Sequence, residues 1–188
     1  MYNNIIGVTN RHLSKGDFLV QIRRICELHP KAIILREKDL SEDAYEELAK
    51  KVCDITHQYG VECRLHFFWE KALKLGISSI HLPLWKLREM PEDAKEKFSV
   101  IGTSVHSLDE AKEAQRIGSS YLIAGHIYAT DCKKGVLPRG IGFLREICEN
   151  TTIPVYGIGG IHLEEEQIKE VMGTGAQGVC IMSEIMRV

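Results

Sequence analysis

Histidines at strand ends, a pair of strand-end cations and a double glycine carry most of the chemistry this sequence can offer. His106 closes the run Val100–His106 and His126 lies near the end of Tyr121–Ile127. Histidine titrates near neutrality and suits general acid–base work. Alternation along a strand puts Gly102, Ser104 and His106 on one face, and Leu122, Ala124 and His126 on one face of the next strand. The same rule groups Ile34, Arg36 and Lys38, so an inward face there sets two cations against a carboxylate or phosphate. A solvated Arg-Glu-Lys strand end is the competing reading. Ile158-Gly159-Gly160-Ile161 follows a strand and precedes a helix, where backbone N–H groups can approach a phosphate closely. Met182-Ser183, ending the last strand, adds an N–H and a hydroxyl. His66 and His81 read as satisfied core residues, whereas His12, His29, His57 and His162 sit in loops or on polar faces. No H-E-x-x-H or other metal-ligand spacing occurs, so the residues make no case for a metal.

These residues need a scaffold, and the chain supplies short apolar runs alternating with longer amphipathic ones. Strands are predicted at Ile5–Thr9, Ala32–Arg36, Val61–Phe68, Ser79–Leu82, Val100–His106, Tyr121–Ile127, Val155–Gly159 and Gly178–Met182. Helices are predicted from Asp17 to Leu28, from Ser41 with a buried stripe Ala44, Leu48, Val52 and Ile55, and over Trp69–Leu75. Further helices are expected at Ser107–Arg116, Gly140–Glu149 and Leu163–Met172, with a partly helical connection from Trp85 to Lys97. Eight β-then-α units in strict order predict an α/β fold with a parallel sheet closed into a (β/α)8 TIM barrel. Such barrels place active-site residues at the C-terminal ends of strands and recurrently bind phosphate after strands seven and eight. The 188 residues fit one domain, 1–188, yet fall below the roughly 200-residue lower end of this architecture. A truncated eighth helix is therefore expected. An oligomer interface could cover the flank it leaves bare, which makes a homo-oligomer an expectation as well.

Composition narrows the function. A hydrophobic fraction of 44% and a formal charge of −2 describe an ordinary globular chain with no long-range attraction for nucleic acid or an acidic membrane. No run approaches the ~18 apolar residues of a membrane span, and the N-terminal stretch lacks a secretory pattern. The cysteines Cys26, Cys53, Cys63, Cys132, Cys148 and Cys180 form no C-x-x-C pair and read as reduced, structural thiols. The expected location is the cytoplasm, and any bound anion must be held by a local site.

Five stretches, taken in order, resemble the thiamin-phosphate synthase and thiazole tautomerase (TenI) superfamily over nearly the whole chain. They are Leu35-Arg36-Glu37-Lys38-Asp39, Ile101-Gly102-Thr103-Ser104-Val105-His106, Gly125-His126-Ile127-Tyr128-Ala129-Thr130-Asp131-Cys132-Lys133-Lys134-Gly135, Ile153 through Ile161, and Gly178-Val179-Cys180-Ile181-Met182-Ser183. In the synthase branch the resemblance implies a pyrimidine pyrophosphate held with magnesium by aspartates. Those positions fall here on His66-Phe67-Phe68 and near Lys86, and a family glutamine falls on Ile34. Phenylalanine offers no oxygen ligand and lysine repels a hard cation. The family's Gly-Pro segment becomes Gly125-His126, which is similar to the tautomerase branch, where this histidine is the acid–base residue.

The resemblance thus implies a thiazole tautomerase of thiamin biosynthesis, an isomerase that turns a dihydro carboxythiazole phosphate into the aromatic thiazole without cofactor or metal. The implied catalytic residues are His126 and His106. The implied partner is a phosphorylated thiazole, held by Arg36, Lys38, Ser104, Thr130, Lys133, Gly159, Gly160, Met182 and Ser183. Thiamin-phosphate synthase, a non-catalytic thiazole-phosphate-binding regulator and an unrelated phosphosugar isomerase are the alternatives.

Overall fold

The computed structural model describes residues 2–130, 133 and 135–188. Within them eight parallel strands form a closed barrel: β1 Ile5–Val8, β2 Ala32–Leu35, β3 Glu62–His66, β4 Ser79–Pro83, β5 Val100–Val105, β6 Tyr121–Gly125, β7 Val155–Ile158 and β8 Gly178–Ile181. Each strand pairs with the next, and β1 closes on β8 with Ile6 opposite Cys180. The helices are α1 Phe18–Glu27, α2 Glu42–Gln58, α3 Trp69–Lys74, α4 Leu84–Glu89, α5 Glu92–Lys95, α6 Leu108–Arg116, α7 Gly140–Asn150 and α8 Glu165–Met172. The TIM barrel expected from the alternation is the fold observed. After β8 the chain makes a 3-10 turn, Ile185–Arg187.

Local signals explain most boundaries. Asp17 caps α1 by accepting from the Val20 N–H, and Ser41 caps α2 by accepting from the Ala44 N–H, as helix N-termini require. The connection after β4 breaks at Pro91 into the two short helices α4 and α5. The buried stripe of α2 keeps Val52 and Ile55 as read in the sequence, but its first two positions fall one residue later, on Tyr45 and Ala49. Tyr45, Ala49, Val52 and Ile55 face the barrel, while Ala44 is exposed.

Two apolar layers result. The larger lies between strands and helices and includes Ile33, Leu35, Leu65, Leu82, Leu122, Ala124 and Leu144. The smaller fills the barrel: Ile6, Val8, Ala32, Ile34, Tyr121, Ile123, Tyr156 and Cys180, with Ile158 and Met182 packed against it. Tyr45 ties the layers to the barrel rim. Its hydroxyl donates to the Leu35 carbonyl at 2.8 Å and accepts from the His66 N–H at 2.8 Å. The ends of β2 and β3 are thereby fixed to each other through α2.

Candidate functional site

The C-terminal rim begins at β2, where Glu37 is the organising residue. It is 2% exposed, accepts from the Thr9 hydroxyl at 2.6 Å and takes the Arg11 N–H and guanidinium. Thr9 in turn accepts from the Arg36 N–H at 2.9 Å. The Arg-Glu-Lys strand end is therefore not simply solvated: its central carboxylate is locked inward, fixing the backbone that carries Arg36 and Lys38. Arg36 is half-buried and Lys38 exposed. Desolvation, and then the charges of Arg36 and Lys133, hold the Lys38 ammonium below its ordinary pKa. Three like charges are thus brought close enough to repel, a cost that a bound anion would relieve.

On the next two strands the rim turns aromatic. Phe67 lies 5.7 Å from Trp85, centroid to centroid, and the Lys86 ammonium sits 5.1 Å above the Phe67 ring. Below them His66 and His81 stack at 6.0 Å. Burial, then the charges of His81, Arg36 and Lys38, holds His66 well below its usual range. Burial, then Arg64, Arg36 and Lys38, lowers His81 to about 3. Both rings are neutral at physiological pH. His81 is satisfied as a core histidine should be, through Tyr121 Oη at 3.0 Å and Ser104 Oγ at 2.8 Å.

Ser104 and His106 of the β5 end share the inward face, as expected from alternation. His106 is half-buried, and its Nδ1 lies 2.8 Å from the Gly125 carbonyl oxygen. A carbonyl only accepts, so Nδ1 carries the proton and Nε2 is the basic nitrogen of the neutral ring.

His126 requires a correction. The inward face of β6 is Tyr121, Ile123 and Gly125, since Leu122 and Ala124 pack in the outer layer. Strand alternation therefore does not deliver His126 into the barrel. The strand ends at Gly125, and His126 lies 97% buried beneath the following loop. Its Nε2 is 3.3 Å from the Val136 carbonyl oxygen, and its own carbonyl accepts from the Arg139 N–H. That contact places the proton on Nε2 and leaves Nδ1 basic. His106 and His126 are nonetheless brought together, because His106 bonds the peptide that leads into His126.

The double glycine sits against the same segment. Gly159 and Gly160 have φ of +100° and +66°, and a Cβ on Gly159 would stand 2.3 Å from His126 Cβ. Tyr128 donates its N–H to the Gly159 carbonyl at 2.9 Å. Close approach of the β6 loop is thus one physical reason for the glycines, independent of any phosphate. The helix behind them opens with Glu164, Glu165 and Glu166, which already answer its positive end. An anion here would meet loop N–H groups and half-buried Ser183 rather than the helix terminus. Met182 turns its side chain onto the barrel interior. Exposed His162 pairs with Glu184, whose second oxygen accepts from the Leu163 N–H at 2.6 Å, so the β7 and β8 loops are clamped together. Thr130 is half-buried and accepts, through its carbonyl, from the Lys133 N–H at 3.1 Å. Asp131, Cys132 and Lys134 lie outside the described residues.

The family model described as Thiamine monophosphate synthase, TMP-TENI, matches residues 5–185. The chain belongs to this family. It is 32% identical over 186 residues to Thiamine-phosphate synthase 2 of Streptococcus pneumoniae, covering 96% of this chain and 86% of that protein. It is 33% identical to the thiamine-phosphate synthase of Pyrococcus horikoshii, covering 95% and 84%. Among solved structures, the thiamine phosphate pyrophosphorylase of Pyrococcus furiosus superposes with a TM-score of 0.83 at 30% identity, over 100% of this chain and 89% of that one.

Against the magnesium that the synthase pattern implies, the residues present do not fit. The rim positions in question hold two phenylalanines, a histidine and a lysine, with Lys86 over the Phe67 ring. Among the described residues no group of three His, Cys, Asp or Glu side chains is placed to hold a metal. Glu37 and Trp85 are rim residues to which sequence reasoning assigned no role, while Phe67 entered only as a lost metal-ligand position and His81 only as a core residue. A signal for His81 existed, since Ser79 and His81 share strand parity, but a core histidine and a site histidine look alike in sequence.

Proposed function

We propose that the chain binds a phosphorylated thiazole at the C-terminal rim and acts as an enzyme of thiamin biosynthesis, specifically as a thiazole tautomerase. The observation that carries the finer reading is the β3–β4 rim: Phe67, Trp85 and Lys86 stand where the synthase branch places oxygen ligands for magnesium pyrophosphate. In this reading the phosphate rests on the loop of Gly159 and Gly160 with Met182 and Ser183. The carboxylate faces Arg36 and Lys38, joined by Lys133 and Thr130 from the β6 loop, and Ser104 donates from the barrel floor.

The reaction removes a proton from the ring carbon bearing the carboxylate and adds one to the exocyclic carbon, and aromatisation drives it. His126 carries the proton once a ligand displaces the Val136 contact. His106, with Nε2 free of the Gly125 carbonyl, is the nearer partner for the second transfer. A positioned acid–base group contributes about 10²–10⁴-fold.

Coupling of the thiazole phosphate to a pyrimidine pyrophosphate is the second reading. The relatives' names support it more directly than they support tautomerisation, since those named above are synthases or pyrophosphorylases. One pair of assays on the purified chain separates the two. Formation of aromatic carboxythiazole phosphate from the dihydro form, unaffected by EDTA, supports the tautomerase. Thiamin phosphate formation that requires magnesium, without tautomerisation, replaces it with the synthase.

A further inference from the structure

A line of polar side chains runs along the barrel interior from the N-terminal end to the rim. Glu62 accepts from Ser79 Oγ and from Arg64 Nη2, both at 2.8 Å. The Arg64 guanidinium is buried and lies 4.4 Å above the centre of the Tyr121 ring. Tyr121 Oη meets His81 Nδ1, and His81 Nε2 meets Ser104 Oγ. Gly102 makes room for this, because a Cβ there would stand 2.0 Å from the Tyr121 ring.

Donor and acceptor inventory gives the line a direction. A neutral imidazole has one N–H and one lone pair, so it donates at one end and accepts at the other. If Ser104 donated to His81, then His81 would donate to Tyr121, and the tyrosine hydrogen would need an acceptor. The neighbour on that side is Arg64, which offers only N–H donors. Glu62 does not serve either: its oxygens hydrogen-bond Ser79 and Arg64 and not the Tyr121 hydroxyl. The opposite direction gives the tyrosine hydrogen its acceptor: Tyr121 O–H donates to Nδ1, and Nε2–H donates to Ser104 Oγ, while Arg64 Nε and Nη1 are without a hydrogen-bond partner in either direction.

We propose that Tyr121 and His81 are positioning residues that fix Ser104 as a hydrogen-bond donor toward the rim. With one lone pair of Oγ engaged by His81, the serine hydrogen turns away from the barrel floor to an acceptor oxygen of an anionic ligand. A ligand group that itself only donates is disfavoured at this point. The ligand side of this inference rests on the thiazole-phosphate reading; the direction of the line does not.

Two measurements test it. Nitrogen-15 NMR of labelled histidine at pH 7 reads the His81 tautomer without any ligand. The expected state is Nε2–H with Nδ1 accepting, and Tyr121→Phe, which keeps the ring under Arg64, is expected to shift the Nδ1 resonance as its donor disappears. A wild-type His81 carrying its proton on Nδ1, or an unchanged spectrum in Tyr121→Phe, overturns the proposal. Binding of carboxythiazole phosphate is then compared in Ser104→Ala, Tyr121→Phe and the double variant. A hydrogen bond to a charged acceptor corresponds to about tenfold in affinity or more. Ser104→Ala is expected to lose that, Tyr121→Phe part of it, and the double variant no more than Ser104→Ala. Fully additive losses would show that Tyr121 does not act through Ser104. No binding by the wild-type chain would remove the thiazole reading, while the NMR result would still decide the direction of the line.

Discussion

His126 and Glu37 show how far a residue's type reveals its work. Nothing in the alternation of β6 brings His126 into the barrel, yet it is buried beside His106 under the loop that follows. If it carries the proton, His126→Gln lowers tautomerisation by about 10²–10⁴-fold and leaves product binding within a few-fold, as read by single-turnover kinetics and calorimetry. Wild-type turnover in the variant would move the role to His106. Glu37 is the opposite case, a charged residue that entered only as part of a solvated strand end and is in fact buried and held by Thr9 and Arg11. Removing one member of a buried charged network costs about 3–5 kcal/mol at the upper end, and Glu37→Gln keeps part of the hydrogen bonding. A loss of roughly 2 kcal/mol is expected, which lowers the melting temperature by about 4–8 °C for a chain of this size. An unchanged melting temperature would mean that the network contributes little.

At the level of elements, the order and type of every strand were legible, because apolar runs and amphipathic helices alternate without exception. The inward face of β6 was not. Tyr121-Leu122-Ile123-Ala124-Gly125 is buried on both sides, and a parallel strand buried on both faces reads as a continuous apolar run with no polar residue to mark parity. In β5 the polar Ser104 marks the alternation and meets His81 inside the barrel, whereas for Arg36 in β2 the sequence left an inward and a solvated face open. The double glycine was found for its phosphate chemistry, whereas its packing against His126 could be seen only in three dimensions. That packing is testable: Gly159→Ala places a Cβ 2.3 Å from His126 Cβ at a φ of +100°. Strain in that region costs about 1–3 kcal/mol, and overpacking adds to it. The variant is expected to melt lower and to lose hydrogen-exchange protection at the Ile127 and Tyr128 amides, which now bond Ile158 and Gly159. Loss of stability without loss of that protection would place the strain elsewhere.

The whole barrel also responds to pH through groups that sequence treated as plain core. His66 and His81 are neutral in the fold because burial lowers both, His81 to about 3. In the unfolded chain each titrates near 6.5. Below that value the unfolded state binds more protons, so stability falls as pH drops and stops falling only when the folded histidines themselves protonate. For His81 the cost is about 2 kcal/mol by pH 5, and His66 acts in the same direction. His162 acts with the opposite sign. Its hydrogen bond to Glu184 raises its pKa, so its contribution is complete below about 6.5 and fades as pH rises through the raised value. The two effects occupy separate windows. Urea unfolding at pH 7, 6 and 5 is expected to show a steep loss on the acid side, reduced by about 2 kcal/mol at pH 5 in His81→Asn. His162→Ala should leave that loss intact and instead flatten the profile above neutrality. A stability that stays constant from pH 7 to pH 5 would mean the buried rings accept protons without unfolding. The tautomer of His81, and with it the donor direction of Ser104, would then not survive mild acid.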